Sequence, residues 1–181
     1  MPNWCGNYTE IEGPAEVVQD LFDAGIDERF LQHMAPIDNW DLTGAVGTWG
    51  TKWDIDIGRM ALHKMPNDRL MLKGYFESAW SPPDQAFLTF LMNNEDVTIK
   101  LLYHEPSMDF AGSLEHGTHT ISEMGMDFYM NDPIGQELDE AFGVIDDLEA
   151  YMEDEMLEAI NTDPTILTNP ERDDIKAEET S

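Results

Sequence analysis

Basic residues are scarce in this chain. Nine Lys and Arg stand against 38 Asp and Glu over 181 residues, a formal net charge of −29. Nucleic-acid binding through phosphates replaces condensed counterions with Lys and Arg, so this composition argues against direct binding of nucleic acid. Docking on an anionic membrane surface fails for the same reason. Cysteine is almost absent. With Cys5 alone no intrachain disulfide can form, which points to a reducing compartment. No apolar run approaches the ~18 residues that a membrane span needs. The opening Met1-Pro2-Asn3-Trp4 lacks the basic-then-apolar pattern of a secretory signal. A cytoplasmic location is the expectation.

Apolar material is not lacking. Hydrophobic residues make up 41% of the chain and aromatic residues 10%, too much for a purely solvated polymer. The length suits one domain of roughly 100–150 residues with an appendage, large enough to bury a core without disulfide or metal staples.

Periodicity predicts the elements. Tyr8–Glu12 reads as a strand, stopped by Gly13-Pro14. Ala15–Ala24 reads as a helix with Val17, Val18, Leu21 and Phe22 on one face and Gly25 as its stop. A loop is expected from Ile26 to Trp49. Lys52–Ile57 alternates, with Trp53, Ile55 and Ile57 opposite Lys52, Asp54 and Asp56, and predicts a strand. Arg69–Glu77 predicts another. Pro82–Asn93 predicts a helix burying Ala86, Phe87, Phe90 and Leu91, with Pro near its start. Val97–Tyr103 predicts a fourth strand with its odd-numbered residues inward. The order β-α-β-β-α-β implies an α+β, ferredoxin-like antiparallel sheet with two helices on one face. Phe110–Leu114 and Thr118–Ser122, around His116-Gly117, extend it by a hairpin.

The charge is unevenly spread. Residues 1–136 hold 22 acidic and 7 basic residues, net −15, and residues 137–181 hold 16 and 2, net −14. Asp132-Pro133 reads as a helix cap followed by proline at the first helical position. From there apolar residues recur in steps of three and four: Leu138, Phe142, Ile145, Leu148, Met152, Met156 and Ala159. One long helix to Ile160 is expected, about 40 Å at 1.5 Å per residue. Its other face carries Glu137, Asp139, Glu140, Asp146, Asp147, Glu149, Glu153, Asp154, Glu155 and Glu158, with no basic residue at i+4. Like charges then repel by a few tenths of a kcal/mol per pair, approximately. Packing of the apolar stripe on the core, in a dimer or in a partner's groove must offset that. The expected division is a domain over 1–130, the acidic amphipathic helix over 131–161 and a solvated acidic tail over 162–181.

Four separated motifs stand in order: Met1-Pro2-Asn3-Trp4-Cys5-Gly6-Asn7, Trp49-Gly50-Thr51-Lys52-Trp53-Asp54, Ala79-Trp80-Ser81-Pro82-Pro83 and Glu105-Pro106-Ser107-Met108-Asp109-Phe110-Ala111-Gly112. Together they resemble the YubB ferredoxin-like domain family, the Api-type proteins of phages and plasmids. The resemblance covers roughly residues 2–117 and departs at Ser78 and Ser107, where the family pattern has Thr and Gly. It implies a ferredoxin-like fold and a mobile-element origin, and no activity. The acidic helix lies outside it.

Two constellations are candidates for function. Trp4, Trp49, Trp53 and Trp80, with Asn3, Asn7 and Lys52 as polar handles, suit an aromatic pocket for a nucleotide-like ligand. The structural alternative has the tryptophans plugging the end of the sheet and Lys52 pairing with Asp54, Asp56 or Glu77. Gly47–Lys52 lacks the Gly-Lys-Ser/Thr order of a phosphate loop. Glu115, His116 and His119 are the best metal-ligand cluster, but their spacing in an extended stretch does not share a face. Cys5 reads as a small buried hydrophobe. No cofactor or metal is expected, and no catalytic residue stands out.

The leading expectation is a non-enzymatic accessory protein of phage or plasmid type, acting in the host cytoplasm. It would bind a basic host protein through the ten carboxylates of the helix, as an acidic mimic of nucleic acid that inhibits a DNA- or RNA-binding host factor. A ligand-binding or enzymatic domain built on the tryptophans and Lys52 is the alternative. A homodimer through the C-terminal helix and adaptation to salt remain open beside these.

Overall fold

The computed structural model describes residues 3–162. Every second residue from Cys5 to Gly13 is buried, and this alternation makes the long strand β1 (Trp4–Pro14) the spine of the sheet. Pro14 then turns the chain into helix α1 (Ala15–Ile26). Two short helices, α2 (Phe30–Met34) and α3 (Leu42–Trp49), precede a hairpin of β2 (Met60–Met65) and β3 (Arg69–Ala79). Helix α4 (Asp84–Asn93) leads into β4 (Thr98–Glu105), followed by β5 (Phe110–Ser113) and β6 (Gly117–Thr120). Helices α5 (Ile121–Asn131), α6 (Pro133–Phe142) and α7 (Val144–Thr162) complete the described chain.

The sheet order is β2-β3-β1-β4-β5-β6, and every neighbouring pair is antiparallel. The described residues therefore form a mixed α+β protein with a six-stranded antiparallel sheet. The expected hairpin after β4 is present, with Ala111 opposite His119. The stretch expected to continue it to Ser122 instead enters α5 at Ile121.

Both faces of the sheet are covered. Ile11, Leu72, Phe76, Leu101 and Tyr103 pack against α1 to α4 through Val18, Leu21, Phe30, Phe87 and Phe90. The next residue along β4, Leu102, points to the opposite face and joins Ala111, Ile121, Tyr129, Leu138, Val144 and Leu148 in a second core. The alternation of β4 is thus buried on both sides, and His104 sits in the second core with 7% of its side chain exposed.

The expected layer of two helices on one face is replaced by helices on both, and three further expectations fail. Lys52–Ile57 is not a strand. Asp54 turns its carboxylate to the start of α2 instead, accepting from the N–H groups of Leu31 at 2.7 Å and Gln32 at 3.0 Å, and from its neighbour Ile55 at 2.9 Å. A side chain that satisfies orphan helix donors fixes the backbone around it in a non-ladder conformation. The loop expected over Ile26–Trp49 contains α2 and α3, because Leu31, Met34 and Ala45 each find a place in the first core. The single long C-terminal helix breaks at Gly143. Asp132 does cap α6, its Oδ1 accepting from Ile134 N at 2.9 Å, and Pro133 takes the first helical position. Gly143 then adopts a left-handed φ of 69°, open to glycine at little cost, and closes α6 by donating to Asp139 O at 2.7 Å. Asp139 Oδ1 accepts from Ile145 N at 2.9 Å, which starts α7.

Burial of Leu138, Val144 and Leu148 answers the repulsion along this acidic stretch. Each buried aliphatic side chain contributes about 1.5–3 kcal/mol, against a few tenths per like-charge pair. The expected tail over 162–181 lies outside the described residues, apart from Thr162.

Candidate functional site

Two surfaces carry the residues singled out from the sequence. The first lies where β1 and β3 end together. Trp80 N donates to Asn3 O at 2.9 Å, carrying the β1–β3 pairing one step past Trp4 opposite Ala79. Beside it, the chain leaving α3 is tied to the chain leaving β3. Thr51 Oγ1 donates to Ala79 O at 2.8 Å, and Ser81 Oγ to Gly50 O. Gly50 has a φ of 88°, and a Cβ there would meet Pro82 O at 2.8 Å, so only glycine lets the two segments approach.

This lashing brings Trp4, Trp53, Trp80 and Lys52 together on the surface. The Trp4 and Trp53 rings lie 6.4 Å apart at 50°. The Lys52 ammonium sits over the Trp80 face and 5.9 Å from the Trp53 centroid. Partial desolvation against the rings lowers the Lys52 pKa. Each of the three rings is about half exposed, at 45–50%. The expected pairing of Lys52 with Asp54, Asp56 or Glu77 does not form: Asp54 caps α2, Asp56 accepts from Gly58 N, and Glu77 faces Arg59. Trp80 also takes a positive φ of 75°, unusual for a large side chain and costing on the order of 1–3 kcal/mol.

Two of the expected handles are elsewhere. Trp49 is buried in the first core, its Nε1–H donating to Ala35 O at 2.7 Å. Asn7 is buried beneath the sheet's end, donating to Cys5 O at 2.8 Å and Ser78 Oγ at 2.9 Å. Asn3 is exposed and contributes its backbone carbonyl. Cys5 is fully buried, and burial pushes its thiol up to about 12.

The second surface is α7. Its first turns are held by Val144 and Leu148, while Glu149 to Ala159 are exposed. Tyr151, Met152, Met156 and Leu157 are all more than half exposed, at 56–59%. Tyr151 and Leu157 were not singled out by the sequence spacing; both flank the expected stripe. The ten carboxylates divide by task. Glu137 pairs with Lys100 at 2.8 Å, Asp139 caps α7, and Asp147 lies 3.7 Å from His104 Nε2. Glu155 accepts from Tyr151 Oη at 2.7 Å. Glu140, Asp146, Glu149, Glu153, Asp154 and Glu158 face solvent. From Ile121 to Thr162 there is no Lys or Arg, and all seven in the described residues precede residue 101.

His116 and His119 do not form a metal centre with Glu115. His116 Nδ1 is 3.1 Å from Ser113 Oγ, and the His119 ring packs 5.5 Å from Phe128. Among the described residues no group of three or more His, Cys, Asp or Glu is placed to hold a metal. No described helix is long and apolar enough to cross a membrane. No family model, curated protein or solved structure matches this chain.

Proposed function

We propose that this chain works by binding a basic protein, through the exposed part of α7. The carrying observation is that Tyr151, Met152, Met156 and Leu157 stand exposed on a helix whose other side chains there are mainly carboxylates. An amphipathic helix with a free apolar stripe fits an apolar groove, and its carboxylates select a groove rimmed by Lys and Arg. A second copy of the chain is a poor occupant, because it would bring seven carboxylates of α7 against seven more.

We read the protein as a phage- or plasmid-type accessory factor acting in the cytoplasm on a nucleic-acid-binding host protein. The order β2-β3-β1-β4 within the sheet supports a ferredoxin-like core and the resemblance to the YubB family. Nucleic-acid mimicry draws weaker support. The seven carboxylates of α7, from Asp146 to Glu158, span about 18 Å, near one charge per ~3 Å, where duplex DNA has one per ~1.7 Å. The break at Gly143 also divides the acidic row.

Affinity capture of host proteins at low and high salt tests this reading, with the Met152→Ser/Met156→Ser chain run alongside. A basic protein retained at low salt, and lost both at high salt and with the double variant, supports it. Retention of no such protein, or equal retention by the double variant, ends it.

A ligand-binding reading of the Trp4, Trp53, Trp80 and Lys52 cluster is favoured by one specific observation, the strained backbone at the exposed Trp80. Quenching of tryptophan fluorescence by added nucleotides, abolished in Lys52→Ala, would support it.

A further inference from the structure

A cavity of about 410 Å³ opens at the root of α7, between that helix, the end of β4 and the start of α5. Its walls include His104, Asp109, Ile121, Asp147, Leu148 and Tyr151. This is the lower range of small-ligand sites.

His104 is 93% buried here by side-chain area, yet its Nε2 makes no hydrogen bond; the nearest carboxylate oxygen, Asp147 Oδ2, is 3.7 Å away. A buried ring nitrogen without a partner is uncommon, and each one asks for an explanation. On its other side the ring stacks on Phe142 at 5.6 Å and 28°, which fixes its plane. Asp109 is also fixed, its carboxylate accepting from the backbone N–H and the hydroxyl of Ser122. The cavity thus presents two carboxylates from separate elements, a held imidazole and an aromatic ring, with no Lys or Arg among its lining residues.

We propose that this cavity receives an arginine side chain of the basic partner, its guanidinium held between Asp147 and Asp109 with one N–H directed to His104 Nε2. The inference rests on the α7-docking reading and names its anchor. Several splayed acceptors match the five donors of a planar fork better than the three of an ammonium. Tyr151 offers a face on which a guanidinium stacks. Burial lowers the His104 pKa, which keeps the imidazole neutral and leaves Nε2 free to accept when the ring proton is on Nδ1. Leu148 and Tyr151 belong both to this cavity and to the α7 surface that continues into Met152 and Met156, so an anchor here is continuous with the docking face.

The test is a titration of the intact chain with arginine amide, followed through the ring resonances of His104, identified by their loss in His104→Gln. Citrulline amide, the uncharged isostere, is the control ligand. A saturable shift with arginine amide and none with citrulline amide is expected. Asp147→Asn should weaken it about tenfold, as loss of one charge-assisted contact implies, while Glu158→Gln should leave it nearly unchanged. Equal weakening by both variants, or a shift that never saturates, would show diffuse charge screening and overturn the site.

A leucine-flanked arginine peptide decides the source of the cation. It should bind more tightly than arginine amide and lose that gain in Met152→Ser. A peptide no tighter than the amide would assign the cavity to a free cation and overturn the partner anchor. If arginine amide binds while no basic protein is captured, the cavity stands as a guanidinium site and the docking reading falls. If a basic protein is captured but arginine amide leaves His104 unmoved, the docking reading stands and the anchor falls.

Discussion

The Lys52 ammonium lies over the face of the Trp80 ring, and Trp80 is itself held at a positive φ of 75°. In a chain of net −29, Lys52 makes both of the cation–aromatic contacts found among the described residues. It bears directly on which small molecules approach these rings. Iodide, an anion, should quench tryptophan fluorescence through Lys52, whereas neutral acrylamide should not depend on it. Lys52→Met is expected to lower the iodide-to-acrylamide quenching ratio. An unchanged ratio would mean that Lys52 does not sit at the exposed rings.

Asp54 joins α2 to a segment 23 positions further on in the chain by capping Leu31 and Gln32. Asp54→Ala should cost about 1–2 kcal/mol, as loss of a helix cap does, and Asp54→Asn less, since the amide retains one acceptor. Urea denaturation of the three chains measures it. A loss within ~0.5 kcal/mol for Asp54→Ala would place the cap among unimportant surface contacts.

Burial lowers the His104 pKa, with Asp147 and then Glu105 opposing that shift. The folded state thus holds fewer protons at this ring than the unfolded chain once the pH drops toward 6.5. The stability contribution of a neutral His104 is complete above the unfolded value and is lost as pH falls through the folded one. Acidification also relieves the repulsion of the whole acidic surface, so the useful quantity is wild type minus His104→Gln. That difference in unfolding free energy should shrink between pH 7.5 and pH 5, approximately the range bracketing an ordinary histidine. A difference that grows on acidification would mean that Asp147 dominates and the ring charges in place.

Cys5 is fully buried in the first core, with its thiol pushed up to about 12. Thiolate is the reactive form, so a disulfide reagent should leave the native protein unmodified at neutral pH and label it at the rate of unfolding in denaturant. Rapid labelling of the native chain would contradict the packing at the end of β1.

Legibility followed the number of faces each element buries against near neighbours. β1, β3, α1 and α4 carried clear periods because each presents one dominant face to the first core. β4 hid half of its role. Leu101 and Tyr103 read as inward, but Leu102 and His104 are equally buried because α5 to α7 return to cover the other face. Nothing near residue 102 announces that long-range cover. Lys52–Ile57 alternated like a strand, and of its apolar face Ile55 and Ile57 are buried while Trp53 stays half exposed; the carboxylate of Asp54, used as a remote cap, removed the segment from the ladder.

The aromatic cluster was half legible. The separated motifs grouped four tryptophans, but Trp49 belongs to α3 and turns inward, so three of the four remain at the surface. The stop at Gly143 was obscured because apolar spacing runs from Phe142 to Ile145 as if the helix were continuous. The signal was the glycine itself, placed directly after an aromatic residue that closes α6.

The placement of every described Lys and Arg before residue 101, with α5 to α7 purely acidic, has a kinetic consequence. Such a molecule is an electric dipole as well as a polyanion. In the field of a cationic partner it experiences a torque, so that rotational diffusion is biased to bring the C-terminal helices forward before contact. The same asymmetry should orient the protein on any positively charged support, with α5 to α7 turned toward it.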